Sequence, residues 1–399
     1  MQPHFVFSSE SVTAGHPDKV CDRISDAIVD RHLRQDPAAR VNAECVISTG
    51  IVFLSVKARS SASVDSPAAA REVLRAVGYT GQGGFDPHAC TIMTSLYDAP
   101  DTSSLTRRPV NEETLDESAL EKLGANDQAT VFGYACSETP CHMPLPIWLA
   151  HRLAQRLSKV QPGSAMLTPD GKTQVAVEYR DRRPARIHSI TLLACQYDGR
   201  HPKPTQLSEL LRDAVIGPAF ADLELRPDER TEVSVNPQGP VVPGGPVLHA
   251  GLTGRKTAVD GYGDFARSGA AALSGKDPSR IDRVGSYAAR HAARNVVAAG
   301  LAERCEVQLS YAIGHARPVS VLVDTFDTGR LSDAQLLARI EAHCDFRPAA
   351  IVRRFGLRSL PQRRAGSFYQ ELAAYGQVGR EDLELPWEQL DYVDALRHA

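Results

Sequence analysis

Two short stretches of this 399-residue chain carry residues suited to holding a polyphosphate. Gly15-His16-Pro17-Asp18-Lys19 and Gly275-Lys276-Asp277-Pro278-Ser279-Arg280 each set Gly, Pro, a carboxylate and a base where a long helical pattern begins. The free N–H groups of a first helical turn and the positive end of its dipole attract an anion. His16, Lys19, Lys276 and Arg280 add donors for phosphate oxygens, and Asp18 and Asp282 are hard oxygen ligands suited to Mg²⁺ on a polyphosphate. Helix capping would explain either loop alone; two such loops favour a magnesium–phosphate site. The loops also echo each other through Asp22-Arg23 and Asp282-Arg283, although chance similarity of two helix starts explains that equally well. Lys172 and the pair Arg255-Lys256 stand at loop edges, each weak by itself. Gly244-Gly245-Pro246 and Gly269-Ala270-Ala271-Ala272 permit close backbone approach to a ligand, but neither has the spacing of a Walker loop or a dinucleotide fingerprint.

The elements that must position these residues alternate between helix and strand. A helix is expected from Pro17 to Asp36, then a hairpin of Val41–Ile47 and Ile51–Ala58, then a helix capped at Asp65 and stopped at Gly78. A strand at Thr91–Leu96 leads into a polar stretch, 98–121, long enough to be a mobile lid or a disordered connector. Helix 147–157, strands 173–179 and 187–195, and helix 207–216 follow. The last third repeats the scheme with strand 232–235, helix 278–299 and strands 306–311 and 319–323. The expectation is an α/β protein of three similar units, mixed sheets with helices on one face, divided near 1–122, 123–232 and 233–399.

Composition narrows the function classes. A net charge of −3 gives no electrostatic basis for nucleic acid, and no apolar run approaches bilayer length. Met1 to Phe7 lacks the pattern of a signal peptide, and the eight cysteines are scattered. Cys136, Cys141 and His142 form the one cluster, without the second ligand pair a metal site needs. A cytoplasmic protein with buried reduced thiols is expected.

Taken together, Gly15–Lys19, Gly124-Ala125-Asn126-Asp127-Gln128, Gly251-Leu252-Thr253-Gly254-Arg255-Lys256, Ser274–Ser279 and Tyr311-Ala312-Ile313-Gly314 resemble the S-adenosylmethionine synthetases nearly end to end. The resemblance implies three similar α/β domains, and homodimers or homotetramers with active sites at the interface. It implies attack of a thioether sulfur on C5′ of ATP, loss of the whole triphosphate, and its hydrolysis to pyrophosphate and phosphate. It also implies Mg²⁺, two ions per site, and K⁺. Carried over by position, His16, Lys172, Arg255 and Lys276 are catalytic. Glu10, Lys19, Asp127, Asp170, Lys256, Ala272, Arg280 and Ile313 contact the nucleoside or triphosphate. Asp18 and Asp282 are Mg²⁺ ligands and Glu44 is associated with K⁺.

The departures cluster on the acceptor side. Lys57 and His249 stand where the family has carboxylates for the methionine ammonium, and Pro240-Val241 replaces an Arg-Phe pair. Exchanging carboxylate for a base turns attraction into repulsion. The expectation is therefore an acceptor that lacks the ammonium or is more acidic. The alternatives are an ordinary synthetase using L-methionine and a non-catalytic ATP-binding regulator.

Overall fold

The computed structural model describes residues 4–98, 109–199, 202–269 and 271–398. β1 (His4–Val12) enters α1 (Pro17–Gln35) through the first Gly-Pro loop, and β2 (Arg40–Ser48) and β3 (Ile51–Arg59) follow as a hairpin. Thr49 turns that hairpin in the left-handed region, at φ 51°. α2 (Ser66–Ala76) starts where Asp65 accepts the Ala68 N–H, and β4 (Thr91–Asp98) lies parallel to β3. Next come α3 (Glu117–Glu121), β5 (Ala129–Cys136), α4 (Leu145–Val160), β6 (Leu167–Arg180), β7 (Arg183–Gln196) and α5 (Pro204–Leu211). A π-turn at 212–216 carries α5 into α6 (Gly217–Phe220). The last part contains β8 (Glu232–Val235), β9 (Gly251–Leu252), α7 (Thr257–Asp260), α8 (Ile281–Ala298), β10 (Arg304–Tyr311), β11 (Ser320–Asp324), α9 (Asp333–His343) and α10 (Pro348–Phe355).

Three sheets result, ordered β1-β6-β7-β8, β11-β10-β5 and β4-β3-β2-β9. Each joins strands far apart in sequence: β1 pairs antiparallel with β6, β5 with β10, and β2 with β9. The alternating exposure of β2 and β3 puts one sheet face on α1 and the core. The other face presents Val46, Ile51, Phe53, Met93 and Tyr97, between 37 and 54% exposed in the single chain.

The segment expected as a lid divides. Residues 99–108 lie outside the described residues, but 109–121 is docked onto the C-terminal part of the chain. Arg358 donates to Glu112 at 2.7 Å, its backbone N–H donates to Glu113, and Arg347 bridges Glu117 and Glu121 at 2.8 and 2.7 Å. Among the described residues no helix is long and apolar enough to cross a membrane.

α1 is buried on nearly every side although it is rich in charge. Asp18, Asp22, Asp26 and Asp30 recur every fourth residue, a stripe of like charges that would destabilise an exposed helix. Each is matched by groups brought from elsewhere. Asp18 accepts the Leu252 N–H and Asp22 the Gly254 N–H; Asp26 accepts the Gly275 N–H; Asp30 accepts those of Tyr369 and Gln370. The stripe therefore moors three loops along one helix, and two of them carry the basic residues of the site.

Candidate active site

His16 is the N-cap of α1, and its Nδ1 accepts the Asp18 N–H at 3.2 Å. The loop can turn here because Gly15 has no side chain: a Cβ would lie 2.4 Å from that of Pro169. Burial pushes the His16 imidazole down to about 3, against the pull of Asp170 and Asp18, so the ring is neutral at neutral pH. Asp18 is equally buried. Desolvation raises its pKa, but hydrogen bonding and charge from Lys256, 3.0 Å away, outweigh it and hold the carboxyl below its usual range. Arg255 approaches the same carboxylate at 3.5 Å. The first Gly-Pro loop and the Gly251–Lys256 segment thus meet on Asp18.

The second loop is built the same way. Gly275 takes φ 80°, and a Cβ there would fall 2.0 Å from the Ala43 carbonyl oxygen. Lys276 pairs with Asp282 at 2.7 Å, in the first turn of α8, and Arg280, the N-cap, reaches Asp127 at 3.2 Å. A cleft of about 450 Å³ lies beside these groups, lined by Thr257, Asp260, Asp282, Phe132, Gly269 and Ala271 among others. Its size suits a nucleotide-like ligand. Ala272 packs against Gly254, where an added Cβ would sit 2.3 Å from its own.

Lys19 departs from expectation. It is fully buried between Asp22 at 2.9 Å and Asp260 at 2.5 Å, so its ammonium faces carboxylates rather than a phosphate site. Two carboxylates and one ammonium leave one negative charge uncompensated, and burial pushes Asp22 up to about 7. Asp170 is buried too, with Oδ2 accepting the Gly245 N–H at 2.9 Å and lying 3.1 Å from His249 Nε2. Desolvation raises the Asp170 pKa, yet the His249 contact and neighbouring charges keep it below its usual range. Lys172 is half-buried on β6, opposite Val12. Glu10, Glu44, Lys57 and Ile313 are all exposed in the single chain. Glu44 and Lys57 share the open sheet face with the apolar residues named above.

Sequence reasoning missed Arg283 and Asp26, which form a fully buried pair with contacts of 2.9 and 2.8 Å. Arg283 also donates to the Lys276 carbonyl at 2.7 Å and lies over the Tyr369 ring. It thus fixes the second loop against α1. The four-residue spacing of the aspartates was the available signal.

An α/β scaffold that ties two basic loops to one helix, beside a cleft that Asp282 lines, defines an ATP-binding transferase when set beside known proteins. The N-terminal, central and C-terminal domain models of S-adenosylmethionine synthetase match residues 4–100, 122–241 and 243–389. The S-adenosylmethionine synthase of Thermosynechococcus vestitus is 49% identical over 407 residues, 99% of this chain and 98% of that protein. Those of Gloeobacter violaceus and Synechocystis sp. are 48 and 47% identical, covering 99 and 100% of this chain and 98 and 96% of theirs. The chain belongs to the S-adenosylmethionine synthetase family.

Proposed function

We propose that the chain makes S-adenosylmethionine from ATP and L-methionine, releasing pyrophosphate and phosphate. The observation that carries this reading is the mooring of the Arg255-Lys256 loop on Asp18 at the α1 start, with the next residues, Thr257 and Asp260, lining a cleft together with Asp282. A thioether sulfur is nucleophilic without losing a proton, so the chemistry needs alignment and stabilisation of the departing triphosphate rather than a general base. Lys172, Arg255, Lys256, Lys276 and Arg280 supply cationic groups for the triphosphate. Neutral His16 stands beside the leaving oxygen, where its ring N–H can donate. Asp127, Ala272, Glu10 and Ile313 belong to the nucleoside side.

Asp18 and Asp282 fit magnesium as hard oxygen donors, each paired with a lysine ammonium. The ions would neutralise charge on the triphosphate. Glu44 is the carboxylate proposed for K⁺. The same cations support the hydrolysis of triphosphate.

The acceptor expected from Lys57 and His249 gives way to methionine for two reasons. His249 rests on the buried Asp170 carboxylate, which offsets positive charge at that position. Relatives about half identical over the whole length are named S-adenosylmethionine synthases. Lys57 lies on the open apolar sheet face, which a second copy of the chain would cover. The site is then completed between copies.

The test is incubation of the purified protein with ATP, Mg²⁺ and L-methionine, following the adenosylated product by mass spectrometry together with pyrophosphate and phosphate. S-adenosylmethionine at steady turnover is expected. Adenosylation of thioether acids or keto acids but not of methionine would restore the altered acceptor. Phosphate release without any adenosylated product would leave a triphosphatase.

A further inference from the structure

Three side chains meet beside Asp18: His16, Asp170 and His249. Their ligand atoms all lie within 4.8 Å of one another, and among the described residues no other three His, Cys, Asp or Glu side chains come together in this way. The two imidazole rings are 4.8 Å apart, centre to centre. His16 and Asp170 are each 1% exposed, whereas His249 closes the group from the solvent side at 31%. Two buried atoms in the cluster have no hydrogen-bond partner: His16 Nε2 and Asp170 Oδ1. A buried polar atom without a partner is costly, so two of them on the side chains of one cluster mark a place for a ligand.

The donor set identifies the ligand's class. Two imidazole nitrogens and one carboxylate suit a borderline transition ion such as Zn²⁺, whereas Mg²⁺ prefers oxygen and water. Supporting contacts are present. The Gly245 N–H holds Asp170 Oδ2. A metal on His16 Nε2 requires the proton on Nδ1, which exchanges the Asp18 N–H contact there for the Asp18 carboxylate 3.8 Å away. Tetrahedral zinc needs its donors about 3.3 Å apart, given bonds of ~2.0–2.1 Å. Rotation of the part-exposed His249 side chain is the movement available to close the group.

We propose that His16, Asp170 and His249 form a site for one zinc-class divalent ion, separate from the magnesium carboxylates, whose occupancy excludes the nucleotide. Exclusion rests on the function proposed above, which puts His16 beside the leaving oxygen; metal binding does not. His249 stands where the resemblance expects an aspartate, so the site belongs to this chain rather than to the family pattern.

Metal-stripped full-length protein would be titrated with ZnCl₂ against a chromophoric chelator in millimolar MgCl₂, and separately with CoCl₂ while visible absorption is followed. One ion per chain is expected, retained against Mg²⁺, with cobalt bands of a four- or five-coordinate site. H249Q should weaken zinc by about tenfold or more and remove the cobalt bands. D170N, with its fold checked by circular dichroism, should do the same. Wild-type-like binding in both variants, or no stoichiometric binding at all, would overturn the site. If zinc binds but ATP leaves its affinity unchanged, exclusion is overturned and the site stands. Failure of the methionine assay without zinc would instead count against the proposed function, because the titration does not depend on turnover.

Discussion

At the scale of single residues, the site is built on buried carboxylates and the bases that face them. Lys256 is one such base, its ammonium 3.0 Å from Asp18, and the proposed function sets it on the triphosphate. Lys256→Met should lower kcat by about 10²-fold or more, the cost of losing one preorganised charge donor, with a smaller change in KM. Steady-state kinetics at saturating methionine would check it; an unchanged kcat would remove Lys256 from the triphosphate grip. A second residue tests the core. His151 is buried, bonds Ser11 Oγ at 2.8 Å, and is pushed down to about 3 by burial and by Arg380 and Lys19. Its folded pKa lies below the unfolded value of about 6.5, so the unfolded chain binds the extra proton. The contribution is therefore fully present above pH ~6.5 and lost as pH falls toward 3. The slope is at most about 1.4 kcal/mol per pH unit. Chemical denaturation between pH 7 and 5 should show a shallower decline in His151→Gln than in wild type, and parallel declines would refute the reading.

At the scale of elements, α1 and α8 are joined by the buried Asp26–Arg283 pair. Removing one partner leaves an uncompensated buried charge, so Arg283→Met should cost about 3–5 kcal/mol. Replacing both partners by apolar residues should recover much of that loss, as urea unfolding of the single and double variants would measure. What could be read from the sequence follows the same division. Pro17, Asp65-Ser66-Pro67 and Gly78 mark local backbone chemistry, and the helices begin and end within a few residues of them. The loops at His16 and Lys276 were legible for the same reason. Lys19 was misread because its neighbours suggest a phosphate donor, while the partner that buries it, Asp260, lies far along the chain. Arg283 and the aspartate stripe were missed because charge on a helix reads as a solvent face until its partners are known. Strand pairing was also illegible: alternation tells which face of β1 is buried, not that β6 is its neighbour.

At the scale of the whole molecule, the open face of β2, β3 and β4 is left unfinished in the single chain. Its apolar residues, together with Lys57 and Glu44, suit a cover made by another copy of the chain. Phe53→Asp should shift the species seen in analytical ultracentrifugation to a single chain and abolish synthesis. Activity of wild-type protein should fall with dilution once the complex dissociates. A monomeric wild type with full activity would refute an interface site.

The interleaving of the sheets also sets an order in time. During synthesis, His4–Val12 emerges long before its sheet partner Leu167–Arg180 has been made, and Ala129–Cys136 waits in the same way for Arg304–Tyr311. The nascent chain must therefore carry unpaired strand edges through much of its translation. Completion depends on contacts that close long intervals of sequence, a slow and aggregation-exposed route. Ribosome-bound chains stopped before the sixth strand should remain protease-sensitive across the first.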